Sequence, residues 1–252
     1  MYKKIRILAH RGYRSKYPEN TLLAFKKGFD AGADGLECDI QKTKDGNYVI
    51  IHDDSVDRTA QNGIHGKIAE MTLEEIRRVD LGEKQHILEL REFLEVIPSD
   101  KYVNIELKEE TLRPEDSESI AHILLSHFKL ENLMISSFEH SLLPLFKEKG
   151  FTIGLLIGRR HLSLGTNGLV KHIRMMKPDY INLPIKMFEE SGRLMAQILI
   201  FFIKRISCGI SFWTVNTAEE LALAIRYGDI VMTDDVELIK KELSRLQAGI
   251  AR

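Results

Sequence analysis

Short apolar runs alternate with amphipathic stretches along most of the chain, a pattern typical of repeated βα units. Eight of these runs have the continuous hydrophobicity of strands buried in a parallel sheet. They span residues 5–10, 35–40, 103–107, 133–137, 152–157, 180–184, 210–215 and 230–234. Eight such strands within 252 residues predict an α/β fold, specifically a (β/α)8 TIM barrel.

One interval between predicted strands is longer than the others. It separates the second run from the third and contains a further apolar run, Tyr48–His52. The turn before this run includes Asp45 and Gly46, a pair that favours a hairpin. A short helix is predicted from Thr72 to Val79, with Thr72 as its cap and Glu75 at the third helical position. The interval therefore predicts a small insertion after the second strand, on one face of the barrel.

Two of the helices between the strands have clear amino-terminal signals. One is predicted from Asn20 to Ala31 with Asn20 as a candidate cap. Another is predicted from Thr217 to Tyr227, where Thr217 precedes two glutamates in the first turn. No low-complexity segment, linker or internal repeat marks a domain boundary. We therefore expect a single domain over residues 1–252, with the insertion at about residues 45–85.

The charge balance and the cysteines exclude several classes of protein. The chain has 36 Lys and Arg against 37 Asp and Glu, so the molecule as a whole does not attract nucleic acid or an anionic membrane. Cys38 and Cys208 lie far apart and outside any CxxC spacing, which indicates neither a disulfide framework nor a thiolate zinc site. The first ten residues hold too few apolar positions for a signal peptide. We therefore expect a cytoplasmic protein.

The longest apolar stretch is LMAQILIFFI, at residues 194–203. It is much shorter than the roughly 20 residues that span a bilayer, so no transmembrane segment is expected. The stretch predicts a helix that packs against the sheet or against a neighbouring subunit, as in a homodimer. Contact with a membrane surface is the alternative.

Charged residues concentrate near the ends of the first predicted strands, where (β/α)8 enzymes hold their reactive groups. Glu37 and Asp39 are two positions apart on one strand, so they face the same side while Cys38 faces the other. Glu106 adds a carboxylate from the next barrel strand. Three oxygen donors without thiolates suit a hard divalent cation such as Mg2+ or Ca2+. The alternative is an acidic rim that pairs with cationic residues nearby.

Two histidines and two cations accompany these carboxylates. His10 ends the first strand and His52 ends the apolar run of the insertion, and imidazole carries protons near neutral pH. Arg11 and Lys108 supply the positive charge that binds a phosphoryl group and disperses the charge of its transition state. The residues alone therefore predict metal-assisted hydrolysis of a phosphate ester.

Several segments carry a resemblance to a known family. They are AHRGYRSKYPENTLLAF at 9–25, GLECDIQKTKDGNYVIIHDDSVDRTAQNGIHG at 35–66, VNIELK at 103–108, FWTVNT at 212–217 and VMTDD at 231–235. Together they resemble the glycerophosphodiester phosphodiesterases across the whole chain, most specifically in the first 66 residues. The resemblance implies a (β/α)8 barrel with a small insertion after the second strand.

The resemblance also implies roles for individual residues. His10 and His52 would be the general acid and base, and the carboxylates of Glu37, Asp39 and Glu106 would bind one divalent cation. Arg11 and Lys108 would bind phosphate oxygens. No nucleic acid partner is implied.

Other positions carry a family role beside a local alternative. Glu19 and Asn20 would brace the site, although Asn20 also suits a helix cap. Trp213, the only tryptophan, would form the side of the pocket that contacts the glycerol carbons. The alternative is that Trp213 only packs within the barrel. The segment Asp57–Thr59 would stabilise the insertion, with a direct substrate role as the alternative.

The implied reaction is hydrolysis of a glycerophosphodiester to sn-glycerol 3-phosphate and an alcohol. Either histidine could be the acid, and either water or the glycerol hydroxyl could be the nucleophile. A lysophospholipid or another phospholipid headgroup is an alternative substrate, and a noncatalytic binding module is an alternative class of protein. The sequence leaves the alcohol, the cation and the oligomeric state open.

Overall fold

Eight parallel strands form a closed barrel in the computed structural model, which describes residues 5–190, 192–206 and 208–248. The barrel strands are β1 (Arg6–His10), β2 (Gly35–Lys42), β4 (Tyr102–Leu107), β5 (Leu133–Ser137), β6 (Thr152–Leu156), β7 (Tyr180–Pro184), β8 (Gly209–Trp213) and β9 (Ile230–Thr233). β1 pairs in parallel with both β2 and β9, which closes the ring. All eight strands predicted from the apolar runs are confirmed, and so is the (β/α)8 class.

Helices follow the strands around the outside of the barrel. Their bounds are α1 Leu22–Asp30, α2 Leu73–Ile76, α3 Leu90–Val96, α4 Ser117–Leu125, α5 Pro144–Glu148, α6 Arg159–Leu162, α7 Gly165–Met176, α8 Met187–Glu190, α9 Arg193–Lys204, α10 Ala218–Tyr227 and α11 Val236–Ala248. Short 3-10 turns lie at Ile68–Glu70, Pro114–Asp116, Leu130–Asn132 and His140–Leu142. The main apolar core lies between the strands and these helices.

The predicted helix starts are confirmed in two cases and wrong in one. Thr217 caps α10 and Thr72 caps α2, each in a capping box with the glutamate three residues later. α2 ends at Ile76, earlier than the predicted Val79. α1 begins at Leu22 and its cap is Thr21, whose hydroxyl accepts a hydrogen bond from the Ala24 amide. Asn20 is therefore not the cap, because its backbone is left-handed, with φ at 57°.

Alternation along β2 decides which side chains reach the barrel interior. Leu36, Cys38 and Ile40 belong to the main apolar core, on the helix side of the barrel. Burial of each aliphatic side chain there is worth about 1.5–3 kcal/mol. Glu37 and Asp39 are also buried, but they point to the opposite side, into the barrel. The core thus fixes the register that brings the two carboxylates to one face.

The segment between β2 and β4 has a small apolar core of its own. A hairpin strand, β3 (Tyr48–Ile50), pairs antiparallel with the end of β2, as the Asp45–Gly46 turn predicts. Buried apolar residues of the segment between β2 and β4 form a separate cluster, made of Val49, Ile51, Val56, Ile68, Met71, Ile76, Val79, Leu81 and Ile87. The assignment of residues 1–252 to one domain stays a prediction.

The apolar stretch at 194–203 lies in α9. One side of this helix packs onto the barrel through Ala196, Leu199, Ile200 and Ile203. Other apolar side chains of α9 are exposed, so the stretch is only half covered. Across the described ranges, we find no helix with the length and hydropathy needed to cross a membrane.

Candidate active site

The predicted site residues meet at the carboxyl end of the barrel strands. Six of them line one narrow pocket, namely His10, Arg11, Glu37, His52, Glu106 and Trp213. Asn104, Phe138, Leu156 and Met232 complete its wall. Residues distant in sequence therefore face a common space, as the strand-end argument requires.

Three carboxylates form a buried cluster beside this pocket. Asp39 is the Cα partner of Glu106 across the β2–β4 pair, and Glu37 is two residues before it. One oxygen from each of Glu37, Asp39 and Glu106 lies within 4.8 Å of the other two. Asp39 Oδ1 has no hydrogen-bond partner within the described residues. A hard divalent cation fits this donor set, because the unpartnered oxygen would coordinate the cation and the cation would offset the excess negative charge.

The proton affinities of these carboxylates are pushed apart. Burial raises the pKa of Glu37 well above its usual range, and the charges of Asp39 and Glu106 add to that shift. Burial raises the pKa of Glu106 to about 7, although Lys108 opposes the shift. Burial would also raise the pKa of Asp39, but Lys108 and Arg11 outweigh it and the pKa falls. The cluster thus resists being fully ionised unless a proton or a cation is shared within it.

Arg11 and Lys108 lie near different carboxylate oxygens of Asp39. Lys108 Nζ donates to Glu106 Oε1 at 2.8 Å and lies 3.7 Å from Asp39 Oδ1. Arg11 Nε lies 3.5 Å from Asp39 Oδ2 but has no hydrogen-bond partner in the part of the chain that the structure describes. Ion pairs of the kind proposed for an acidic rim are therefore present. They lie in a buried site, where two cations do not neutralise three carboxylates.

The backbone after β1 brings Arg11 into this position. Arg11 has a left-handed backbone, with φ at 55°, and its amide donates to Glu37 Oε2 at 3.0 Å. Gly12 follows with φ at 78°, and a Cβ there would lie 2.6 Å from the Ala24 carbonyl carbon of α1. Only glycine fits so close an approach. The His-Arg-Gly sequence thus delivers a histidine, an arginine and a backbone amide to one place.

Glu19 and Asn20 both contact the site. Asn20 is buried, and its side-chain amide donates to Asp39 Oδ2 at 2.9 Å. Glu19 accepts from Arg11 Nη1 at 3.1 Å and from Arg58 of the insertion at 2.6 Å. These contacts hold Asp39 and Arg11, and Arg58 ties the insertion to the loop after β1.

His10 is held by a residue to which the sequence assigned no role. Its Nδ1 lies 2.6 Å from Asp234 Oδ1, just beyond the end of β9. Since a carboxylate only accepts, Nδ1 carries the proton and Nε2 faces the site, 3.9 Å from Glu37 Oε2. Asn216 Nδ2 donates to the other oxygen of Asp234 at 2.9 Å. The only available signal was that VMTDD ends a barrel strand.

His52 is oriented in the same way by its neighbour in sequence. Its Nδ1 lies 2.6 Å from Asp53 Oδ1, and Arg58 binds the other carboxylate oxygen. Burial would raise the pKa of Asp53, but the hydrogen bonds from Arg58 and His52 outweigh it and lower the pKa to about 2. Gln41 on β2 donates to the His52 carbonyl at 3.0 Å, a second contact that sequence reasoning missed. Burial lowers the pKa of both His52 and His10.

Trp213 forms an aromatic wall beside the pocket. Its indole nitrogen donates to the Asn182 carbonyl at 3.2 Å, which fixes the ring. Phe138 packs against it edge to face, with ring centroids 5.7 Å apart. Trp213 also lines a wider cavity of about 590 Å3 that extends towards α8. The ring is therefore both packed and open to the site, so the two alternatives for Trp213 are compatible.

Comparisons with known proteins agree with one another. The model of the glycerophosphoryl diester phosphodiesterase family matches residues 10–238. A glycerophosphodiester phosphodiesterase of Caldanaerobacter subterraneus subsp. tengcongensis is 34% identical over 253 residues, covering 94% of this chain and 96% of the relative.

Solved structures give the same result. The crystal structure of a glycerophosphodiester phosphodiesterase from Thermotoga maritima matches with a TM-score of 0.79 and 33% identity, over 96% of this chain and 99% of that one. An Oleispira antarctica phosphodiesterase in complex with the product sn-glycerol-3-phosphate matches with a TM-score of 0.81, over 95% and 96% of the two chains. Its 24% identity makes that second match a statement about fold alone.

Proposed function

The chain belongs to the glycerophosphoryl diester phosphodiesterase family, and from that premise we propose that it hydrolyses glycerophosphodiesters to sn-glycerol 3-phosphate and an alcohol. The observation that carries the proposal is the buried triad of Glu37, Asp39 and Glu106 with two histidines around one pocket. A binding module would need no pair of proton carriers at such a place. The named relatives support the same activity.

We assign the triad as the ligands of one divalent cation, Mg2+ or Ca2+. When bound, the cation supplies positive charge for the nonbridging oxygens of the phosphodiester. Arg11 and Lys108 add fixed positive charge beside the same carboxylates. Asn20 and Glu19 hold Asp39 and Arg11 in place through their hydrogen bonds.

His10 and His52 act as the proton carriers in this proposal. Asp234 and Asp53 each accept from an Nδ1, so both histidines present Nε2 as the exchanging nitrogen. One Nε2 takes the proton of the nucleophile as the new P–O bond forms. The other, protonated on both nitrogens before the step, gives its Nε2 proton to the alcohol oxygen as the old P–O bond breaks and becomes neutral. The nucleophile is either water or the adjacent glycerol hydroxyl, and in the second case a cyclic phosphate is hydrolysed next.

Apolar contacts orient the substrate in the pocket. Trp213 and Phe138 form an edge-to-face pair in the wall of the pocket that Glu37 and Glu106 also line. We assign this wall to the carbon atoms of the glycerol, since an aromatic face excludes water without competing for the phosphate.

A cytoplasmic location completes the proposal. Cys38 and Cys208 are both free thiols, which suits a reducing compartment.

A substrate panel tests the reaction directly. We expect purified protein with Mg2+ or Ca2+ to release glycerol 3-phosphate from glycerophosphocholine, detected by a coupled dehydrogenase. The Asp39→Asn variant serves as the inactive control. No release from any glycerophosphodiester tested would refute the proposed function, and turnover of lysophosphatidylcholine alone would favour the lysophospholipid alternative.

A further inference from the structure

Charge is distributed unevenly over this nearly neutral chain. Residues 158–206 contain nine Lys and Arg but only three Asp and Glu, a formal charge of +6 against −1 for the whole chain. In the described ranges Arg160 pairs with Glu109, whereas no ion pair is formed by Lys171, Arg174 or Arg193. The segment from α6 to α9 therefore carries exposed positive charge that the rest of the protein does not neutralise.

The same segment holds most of the exposed apolar side chains. Eight large apolar side chains are exposed within the described residues. Six of them lie on or just before α7 and α9, namely Leu164, Met175, Leu194, Met195, Ile198 and Phe201. Met175 and Leu194 are each 70% exposed. A coincidence of exposed apolar groups with unpaired cations distinguishes this surface from the rest of the barrel.

Helical spacing places these groups in two outward stripes. On α9, Leu194, Ile198, Phe201 and Arg205 recur at intervals of four, three and four residues, so they share one side of the helix. Leu164, Lys171 and Met175 follow the same register along α7. The residues that pack onto the barrel lie on the opposite sides of both helices. We call this surface the α7–α9 face.

The two helices are neighbours, so the stripes form one surface. Leu162 and Leu169 of α6 and α7 line an apolar groove of about 160 Å3 together with Met195 and Leu199 of α9. Arg205 covers Phe201, with its guanidinium carbon 4.6 Å from the ring centroid. Both helices begin at the catalytic end of the barrel, because each follows the carboxyl end of a strand. Leu164 and Leu194 thus lie at the same end as the active-site mouth.

We propose that the α7–α9 face docks this protein onto an anionic lipid surface. Exposed apolar side chains rimmed by Lys and Arg are what an interfacial helix presents to lipid headgroups. Charge complementarity favours a lipid surface over a second copy of the chain, since two copies of this face would bring the unpaired cations Lys171, Arg174 and Arg193 together, and like charges repel. Each cation near an anionic membrane strengthens binding about fivefold. Several unpaired cations on one face can therefore bind the protein to such a membrane, even though the whole molecule is nearly neutral.

Vesicle sedimentation tests this proposal without any enzymatic readout. We expect the protein to bind vesicles of phosphatidylcholine with phosphatidylglycerol, to bind pure phosphatidylcholine at least about tenfold less, and to be released by high salt. The Ile198→Ser/Phe201→Ser and Lys171→Glu/Arg174→Glu variants should each weaken binding by at least about tenfold.

Matched controls alter the same residue types elsewhere. Leu125→Ser/Leu238→Ser removes exposed apolar groups outside the face, and Lys26→Glu/Lys241→Glu reverses exposed charges outside it. Both control variants should bind like the parent protein, and thermal melts should show that all variants fold. The charge variant keeps the test decisive if the apolar variant does not fold.

Three outcomes would overturn the proposal. They are no binding to anionic vesicles at low salt, equal loss of binding in the control variants, and a dimer in solution that Ile198→Ser/Phe201→Ser dissociates. The last outcome would assign the face to self-association.

Discussion

His10 and Asp234 are 224 residues apart in sequence, yet His10 Nδ1 lies 2.6 Å from Asp234 Oδ1. The contact joins the first and last barrel strands, which are neighbours only because the barrel closes. It fixes the tautomer of one proposed proton carrier. Asp234 is therefore a positioning residue for the proposed reaction.

We predict that Asp234→Ala lowers kcat by about 10- to 100-fold, the usual range for loss of an orienting partner, with a smaller effect on KM. The imidazole would lose the acceptor that holds Nδ1–H, so Nε2 would be less often aligned to exchange a proton in the site. Steady-state kinetics at several pH values provide the measurement. Asp235→Asn is the matched control, because Asp235 caps α11 through the Leu238 amide and does not contact His10. Unchanged kcat in Asp234→Ala would contradict the orienting role.

Removal of either proposed proton carrier should abolish most activity. We predict that His10→Ala and His52→Ala each lower turnover by about 100- to 10,000-fold while thermal stability stays near that of the parent. Coupled detection of glycerol 3-phosphate measures the loss, and circular dichroism reports the fold. His65→Ala, an exposed histidine of the insertion, is the control. Near-normal activity in either test variant would exclude that residue from acid or base catalysis.

Chelation should separate folding from catalysis. We expect exhaustive treatment with a chelator to remove activity and leave the barrel folded, and Mg2+ or Ca2+ to restore it. Addition of the cation should also raise the melting temperature, because it relieves repulsion among the buried carboxylates of Glu37, Asp39 and Glu106. Glu37→Gln should reduce that rise. Full activity after metal removal would show that the triad is not a metal site the reaction requires.

A buried histidine outside the site should make stability depend on pH. His140 Nε2 donates to the Leu156 carbonyl at 3.0 Å, so its Nδ1 accepts from His172 Nε2 at 2.7 Å. Burial lowers the pKa of His140 to about 4. The folded state therefore binds this proton less readily than the unfolded state, and stability falls as the pH drops from about 6.5 towards 4.

We predict that the free energy of unfolding falls by about 2 kcal/mol between pH 7 and pH 5 because of His140. Urea unfolding at the two pH values measures this free energy. Between pH 7 and pH 5, the free energy of unfolding of His140→Gln should fall by about 2 kcal/mol less than that of the parent protein. His122→Gln, at an exposed position of α4, is the control and should leave the pH slope unchanged. Equal slopes for parent and His140→Gln would contradict the assignment.

The barrel was predictable because its strands are short apolar runs bounded by helix signals, and every run corresponds to a strand. The carboxylate cluster was predictable because strand alternation is local: Glu37 and Asp39 share a face in any register. Contacts between distant segments were not predictable in this way. Asp234 contacts His10 because the barrel closes, and Gln41 contacts the His52 carbonyl because the insertion folds back on β2. Neither contact produces a periodic pattern in the sequence.

The error at Asn20 has a local cause. Asn20 and Thr21 are both good cap residues and are adjacent, so the sequence alone does not choose between them. The structure uses Thr21 as the cap because Asn20 turns its side chain towards Asp39 from a left-handed backbone. Tertiary contact with the site overrides the capping preference.

The two histidines belong to different packing units, since His10 ends a barrel strand and His52 follows the hairpin strand of a segment with its own apolar cluster. Separate clusters can open at separate free energies. Opening of the insertion alone would withdraw His52 and Arg58 while leaving His10 and the carboxylates in place. We therefore expect denaturant to inactivate the enzyme before it melts the barrel, so that activity reports the integrity of the insertion and helical signal reports that of the barrel.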